Sequence, residues 1–136
     1  MPDIWENAHV AARLPAQDLD RARAFYRDKL GLEAAEERPG GLLYVLGGTE
    51  FALFASTGAS PGTFTQMGFY VDDIEALVAD LRARGVEFEK VEGPLFTVRD
   101  GIAEVEGNYP SKGSGERAVW VRDSEGNMLG FGELLP

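Results

Sequence analysis

The chain has 136 residues, of which 44% are hydrophobic, and this fits one globular domain with a sizeable core. Its net charge of −10 disfavours binding to the phosphate backbone of nucleic acid. The absence of cysteine excludes disulfides and thiolate ligands and fits a reducing compartment. With no leader-like segment and no apolar run of membrane-spanning length, we expect a cytoplasmic protein without a membrane partner.

The first predicted elements are a strand, a capped helix and a glycine stop. Alternation over 9–14 indicates a strand, in which Val10 and alternate residues face the following helix. Asp18 is expected to cap that helix, and Gly31 is expected to end it. One buried stripe at helical spacing consists of Leu19, Ala22, Tyr26 and Leu30.

A hairpin and a connector follow the first helix. Strands over 42–46 and 50–54 flank Gly47 and Gly48, which is the pattern of a tight turn between antiparallel strands. The stretch 56–63 is rich in Gly, Ser, Thr and Pro, and we interpret it as a connector between two halves.

The second half contains a long stretch without a clear pattern, over 93–116. In a small domain such a loop is typical of a lid or a binding loop. Asp72 and Glu75 have the spacing of a capping box at the start of the second helix. The other predicted elements are strands over 65–71, 86–91, 117–122 and 128–134, a helix over 72–83, and a turn over 123–127.

The second half also repeats the order of the first. Asp73 aligns with Asp18, the apolar positions of the two helices coincide, and both helices end at glycine. The sequence therefore predicts an α+β fold of two βαβββ modules, 8–56 and 64–135, within a single domain of residues 1–136. Helices cover one face of each four-stranded sheet, which leaves the other face uncovered by helices.

Three segments resemble the vicinal oxygen chelate superfamily, which contains glyoxalase I, extradiol dioxygenases, fosfomycin-resistance enzymes and bleomycin-resistance proteins. The segments are Asp18-Leu19-Asp20-Arg21-Ala22 with Phe25-Tyr26 and Leu30-Gly31, then Val71-Asp72-Asp73-Ile74, and last Arg122-Asp123-Ser124-Glu125-Gly126-Asn127. The last is similar to the family's Asp-Pro-Asp-Gly-Asn turn. The resemblance implies the glyoxalase/bleomycin-resistance fold, with paired modules around a cleft, and a homodimer.

The resemblance also locates the positions at which the family's metal enzymes carry His or Glu ligands. Those positions are occupied here by Ala11, Ala52, Gln66 and Gly130. Alanine and glycine offer no side-chain donor, and a single neutral amide is a poor ligand for a divalent ion. We therefore expect no metal, no cofactor and no catalytic residues of the usual kind. In an alternative, His9 and Glu50 hold a metal in a divergent lyase, isomerase or dioxygenase.

Strand alternation predicts which side chains line the cleft. Small residues leave room at its centre, and aromatic residues supply flat apolar walls for a planar ligand. The candidate ligand-binding residues are Trp120, Phe54, Phe64 and Tyr70 as walls, with Tyr44 and Tyr109 beside them, Gln66 as a hydrogen-bonding group, and Arg13 and Arg122 as charges at the rim. Each aromatic residue has a second interpretation, as part of the core or of a dimer interface.

These features are most similar to the bleomycin-resistance proteins, which bind an antibiotic in dimer clefts without chemical change. We predict a homodimeric, metal-independent protein that sequesters an aromatic or cationic, antibiotic-like small molecule and so confers antibiotic resistance. Two further alternatives stay open. One is a metal-free isomerase in which Glu50 or Tyr70 acts as acid or base, and the other is a module whose aromatic face is covered by a partner protein.

Overall fold

The computed structural model describes residues 4–94, 96–107 and 109–136. Two helices and nine strands are formed by these residues. The helices are α1 (Leu19–Phe25), continued by a π-helical turn over Tyr26–Leu30, and α2 (Ile74–Ala83). The strands are β1 (Ala12–Ala16), β2 (Glu36–Arg38), β3 (Gly41–Leu46), β4 (Thr49–Ala55), β5 (Met67–Tyr70), β6 (Phe96–Arg99), β7 (Ile102–Glu106), β8 (Gly115–Arg122) and β9 (Met128–Leu135).

The strands form two sheets with the same plan. Sheet A has the order β1-β4-β3-β2 and sheet B the order β5-β9-β8-β7-β6. In each sheet the strand before the helix pairs in parallel with the last strand of its half, β1 with β4 and β5 with β9. The other neighbours are antiparallel. This plan confirms the predicted α+β fold of paired modules, although sheet B has five strands where four were predicted.

Both helices begin at an aspartate cap. The Asp18 carboxylate accepts a hydrogen bond of 3.0 Å from the backbone N–H of Arg21, and the predicted glycine stop at Gly31 has φ +73°. The second helix is capped by Asp73, which accepts from the N–H of Ala76 at 3.1 Å. The predicted capping box from Asp72 was therefore wrong, because the chain is still extended at Asp73 (φ −141°) and the helix begins one residue later.

Two predicted strand boundaries were wrong in ways that affect the site. Pairing with β4 begins at Ala12, so β1 starts three residues after His9, and Val10 is 99% exposed instead of facing the helix. The segment 86–91 is not a strand. It contacts sheet B through a backbone hydrogen bond of 2.8 Å from the N–H of Glu89 to the carbonyl of Trp120 and through the ion pair of Glu89 with Arg122.

The predicted long loop over 93–116 contains the hairpin of β6 and β7. Its tip is Asp100-Gly101, and both residues have positive φ, +53° and +80°. Two residues with positive φ are what a tight type I′ hairpin turn requires, and Asp-Gly is a favoured pair there. The prediction of a loop without strands was therefore wrong for Phe96–Arg99 and Ile102–Glu106.

The core lies between the helices and the sheets and is shared by the two modules. Phe51 on β4 stacks on Tyr44 at 4.8 Å and meets Phe69 on β5 edge-on at 5.4 Å, and Phe69 stacks on Phe131 at 4.9 Å. This chain of aromatic contacts joins sheet A to sheet B. Tyr44, a predicted cleft residue, is instead 1% exposed, because alternation along β3 turns it and Leu42 toward the helix.

A buried polar cluster also joins the modules. The Tyr26 hydroxyl donates to Asp123 at 2.7 Å, and Arg21 donates two hydrogen bonds of 2.8 Å to Glu125. Asp123 and Glu125 lie in the turn between β8 and β9, whereas Arg21 and Tyr26 belong to the first helical segment. The helix of one module is thus anchored to the last turn of the other. Among the residues that the structure describes, no helix is long and apolar enough to cross a membrane.

Candidate functional site

The face of sheet B opposite α2 carries a concave groove of about 380 Å³. Alternation along β8 directs Val119 and Val121 into the core and leaves Ala118 and Trp120 on the groove side. Five aromatic residues line it, of which Phe131 belongs to the core, and we call the site the aromatic groove after its four other aromatic walls, Tyr70, Phe96, Tyr109 and Trp120.

Glycines form the floor of the aromatic groove and let the rings lie close to the strand backbone. Gly68 and Gly130 are paired neighbours on β5 and β9, and Gly132 follows on β9. A Cβ atom would lie 3.0 Å from the Tyr70 ring at Gly68 and 3.2 Å from it at Gly132. At Gly130 a Cβ atom would lie 3.4 Å from the indole nitrogen of Trp120. A side chain at any of these positions would therefore fill the groove or displace a wall.

Trp120 is fixed in its place by two contacts. Its indole Nε1 donates a hydrogen bond of 2.8 Å to the hydroxyl of Thr65. Phe96 packs against it edge-on, with the ring centroids 5.6 Å apart. Since the indole N–H is already satisfied, the wall presents its apolar surface to the groove.

The groove contains one carboxyl group, that of Glu116, which our sequence interpretation missed. Burial raises the pKa of Glu116 above its ordinary value, and its Oε2 atom has no hydrogen-bond partner among the described residues. The Tyr70 ring lies beside it, since a Cβ atom at Gly132 would be 3.3 Å from Glu116 Oε2 and 3.2 Å from Tyr70 Cε1. Burial, followed by the Glu116 charge and a side-chain hydrogen bond with Glu116, raises the pKa of the Tyr70 hydroxyl, and this interaction with Tyr70 opposes the effect of burial on Glu116.

Two predicted ligand residues lie on sheet A instead. The guanidinium of Arg13 lies 4.4 Å over the ring of Phe54. Together with Leu43 and Ala52 they line a second, more apolar depression of about 480 Å³. This surface, which we call the sheet A face, has no lining residue in common with the aromatic groove.

Three other predicted residues line neither surface. The Gln66 amide is held by the connector and the last turn: its oxygen accepts from Ser60 and from the N–H of Met128, and its nitrogen donates to Asn127. Arg122 pairs with Glu89 at 3.0 Å. Phe64 is 62% exposed. The structure therefore brings together Trp120, Tyr70 and Tyr109 of the predicted set, and separately Phe54 and Arg13.

A family model described as the Glyoxalase/Bleomycin resistance protein/Dioxygenase superfamily matches residues 8–131. The chain belongs to this superfamily. The match spans both sheets and includes most of the lining of the aromatic groove. No curated protein matches the chain significantly.

Solved structures of the superfamily share the fold. A glyoxalase/bleomycin resistance protein/dioxygenase from Alicyclobacillus acidocaldarius is 19% identical, with a TM-score of 0.70 over 96% of this chain and 93% of that one. A lactoylglutathione lyase from Agrobacterium tumefaciens is 24% identical, with a TM-score of 0.62 and 93% coverage of both chains. A bleomycin-binding protein in complex with bleomycin is 18% identical, with a TM-score of 0.66 over 95% of this chain and 100% of that one.

The superfamily's metal-ligand positions do not fit a divalent ion in this chain. The alanines and the glycine carry no donor, and the amide of Gln66 is already engaged by its three hydrogen-bond partners. Of the alternative ligands, His9 precedes β1 and Glu50 lies near the start of β4, and both side chains are exposed. Within 4–94, 96–107 and 109–136, no three His, Cys, Asp or Glu side chains come together as a metal site.

Proposed function

We propose that this chain is a metal-independent protein that holds an aromatic small molecule in the aromatic groove. The observation that carries the proposal is the set of four aromatic walls above a glycine floor. Two of the walls are accessible from solvent, since Tyr70 is 42% and Tyr109 82% exposed. Ring stacking and burial of flat apolar surface are the main sources of affinity for a planar ligand.

The proposed ligand is an antibiotic, which the protein sequesters without changing it. The bleomycin-binding protein of the same fold supports bleomycin as the first compound to test. The net charge of −10 favours the approach of a cationic drug over an anionic one. The cysteine-free, acidic sequence supports a cytoplasmic location, where sequestration protects an intracellular target.

We also propose that two chains pair through the sheet A face. Phe54, Leu43 and Ala52 leave an apolar surface there, and the charged residues of the same lining are Arg13, Glu36 and Arg38. Exposed apolar surface of this kind is typical of a protein interface. In such a homodimer the sheet A face of one chain closes the open side of the aromatic groove of the other, so that two equal clefts form.

Calorimetric titration and native mass spectrometry with bleomycin test the binding proposal. We expect one unchanged drug molecule per chain, and Trp120→Ala is expected to weaken binding by about 1–3 kcal/mol, or roughly 5- to 150-fold. Trp5→Ala is the matched control, because Trp5 lies outside the groove lining. If a folded Trp120→Ala variant bound bleomycin as tightly as wild type, the aromatic groove would not be the binding site. A change in the mass of the drug would identify an enzyme instead. The same conclusion would follow if the wild-type chain bound a divalent ion and a variant with His9 replaced did not.

A further inference from the structure

The aromatic groove has a polar feature that stacking alone does not use. The Oε2 atom of Glu116 is buried and has no hydrogen-bond partner among the residues that the structure describes. A buried carboxylate oxygen without a donor costs free energy, since it has lost its water and gained nothing in return. Such a cost is offset when a bound molecule supplies the missing donor or positive charge.

The described part of the chain supplies no such charge. The neighbours of Glu116 in register are Val105 on β7 and Leu134 on β9, both apolar. The adjacent Arg117 projects to the opposite face of the sheet, where it pairs with Glu75 at 2.8 Å. The ion pairs of the described residues all leave Glu116 out.

The aromatic walls favour the same kind of partner as the carboxylate does. The face of an aromatic ring attracts a cation, most strongly when the cation is shielded from water. Tyr70 and Glu116 both lie close to Gly132. Trp120 follows Glu116 by four residues on the same face of β8. A positive charge beside the Glu116 carboxylate would therefore lie in the same groove as both rings.

We propose that the aromatic groove selects an aromatic cation, namely a fused ring system that carries a quaternary or protonated nitrogen, with the charge placed between Glu116, Tyr70 and Trp120. This inference rests on the proposed function and specifies the charge of its ligand. A groove of about 380 Å³ is at the small end of ligand pockets, which favours a compact ring system as the part that it contains.

Two isosteric probes, 1-methylquinolinium and 1-methylnaphthalene, test this charge preference because they differ in charge but hardly in shape. The indole N–H of Trp120, distinguished from that of Trp5 by the Trp5→Phe variant, reports binding in ¹⁵N-correlated NMR titrations. The wild-type chain is expected to bind the cation at least about 10-fold more tightly than the neutral probe. Glu116→Gln is expected to lose most of this preference because it binds the cation more weakly, while the rings keep a small preference for the cation.

Glu104→Gln is the matched control, because it changes the net charge by the same amount on the helix side of sheet B. It is expected to keep the full preference for the cation. Equal loss of preference in Glu104→Gln and Glu116→Gln would assign the effect to net charge and overturn the inference. Equal binding of both probes to the wild-type chain would overturn it as well but leave the proposed function intact. No shift of the Trp120 signal with either probe would overturn both.

Discussion

Glu125 shows how one ion pair contributes to the fold of the whole chain. Its side chain is buried in the turn between β8 and β9, and the two hydrogen bonds from Arg21 are the main reason that its pKa is lowered to about 2 from an ordinary value of 4.5. A group with a lower pKa in the folded state stabilises the fold above its unfolded pKa. This contribution is therefore complete above pH 4.5 and is lost as the pH falls toward 2.

Glu125→Gln is expected to lower the free energy of unfolding at pH 7 by roughly 1–3 kcal/mol. The difference from wild type is expected to shrink at pH 3, because the wild-type chain loses part of the same contribution there. Urea denaturation at the two pH values measures this. Glu37→Gln is the control, since Glu37 and its partner Arg23 form an exposed pair, which typically contributes less than about 1 kcal/mol. An equal difference at both pH values would contradict the assignment.

Single residues also show which parts of the candidate site the sequence could predict. Alternation predicted that Trp120 and Tyr70 share a face, and the structure places both in the aromatic groove. Gln66 also belongs to the alternating series, but Ser60 and Asn127 engage its amide, and contacts between such distant segments leave no local pattern. Glu116 was missed because it was assigned to the long loop. Counting back four positions from Trp120 would have placed it on the groove side.

At the scale of elements, the two helix caps offer a direct comparison of sequence and structure. The alignment of the repeat matches Asp73 with Asp18, whereas the capping-box pattern favours Asp72. The structure selects Asp73, and the capping-box residue Glu75 pairs with Arg117 at 2.8 Å instead of reaching back to the cap. The repeat was the better guide here, because it reflects the whole unit and not one local spacing.

Asp73→Ala is therefore expected to lower the free energy of unfolding by about 1 kcal/mol, and Asp18→Ala by a similar amount, since each removes an oxygen that accepts from the first turn. Asp72→Ala, one residue earlier, is expected to change it by less than about 0.5 kcal/mol. Chemical denaturation of the three variants measures the difference. A larger loss in Asp72→Ala than in Asp73→Ala would reverse the assignment of the cap.

The hairpin of β6 and β7 was predictable in part. Asp100-Gly101 is a favoured hairpin dipeptide and stands in the sequence, but the flanking strands are short and only weakly alternating. Segment 86–91 presents the opposite case, because its apolar side chains alternate but it forms no strand, and Glu89 contacts the carbonyl of Trp120 through one backbone hydrogen bond. Short strands depend on their neighbours in the sheet for stability, so a local pattern is least informative for them.

At the scale of the whole molecule, the repeat predicts the two sheets but not how they are joined. The join consists of the aromatic contacts from Tyr44 to Phe131 and of the buried contacts around Asp123. The aromatic groove and the sheet A face have no lining residue in common. In the homodimer proposed above, two chains together form a cleft that contains both Trp120 and Phe54.

The proposed pairing predicts that Phe54→Asp separates the chains. A carboxylate in place of the ring would lie in the apolar interface without a partner, so we expect the dissociation constant of the dimer to rise at least about 100-fold. Analytical ultracentrifugation over a range of concentrations measures this, and circular dichroism checks that the variant is folded. Val98→Asp is the control, because it adds the same charge at an exposed apolar residue of sheet B.

Bleomycin binding by Phe54→Asp is expected to weaken together with dimerisation, because each aromatic groove loses the sheet A face that closes it in the proposed dimer. A folded Phe54→Asp variant that stays dimeric would place the interface elsewhere, and a monomeric one that binds the drug as tightly as wild type would show that one chain forms the complete site.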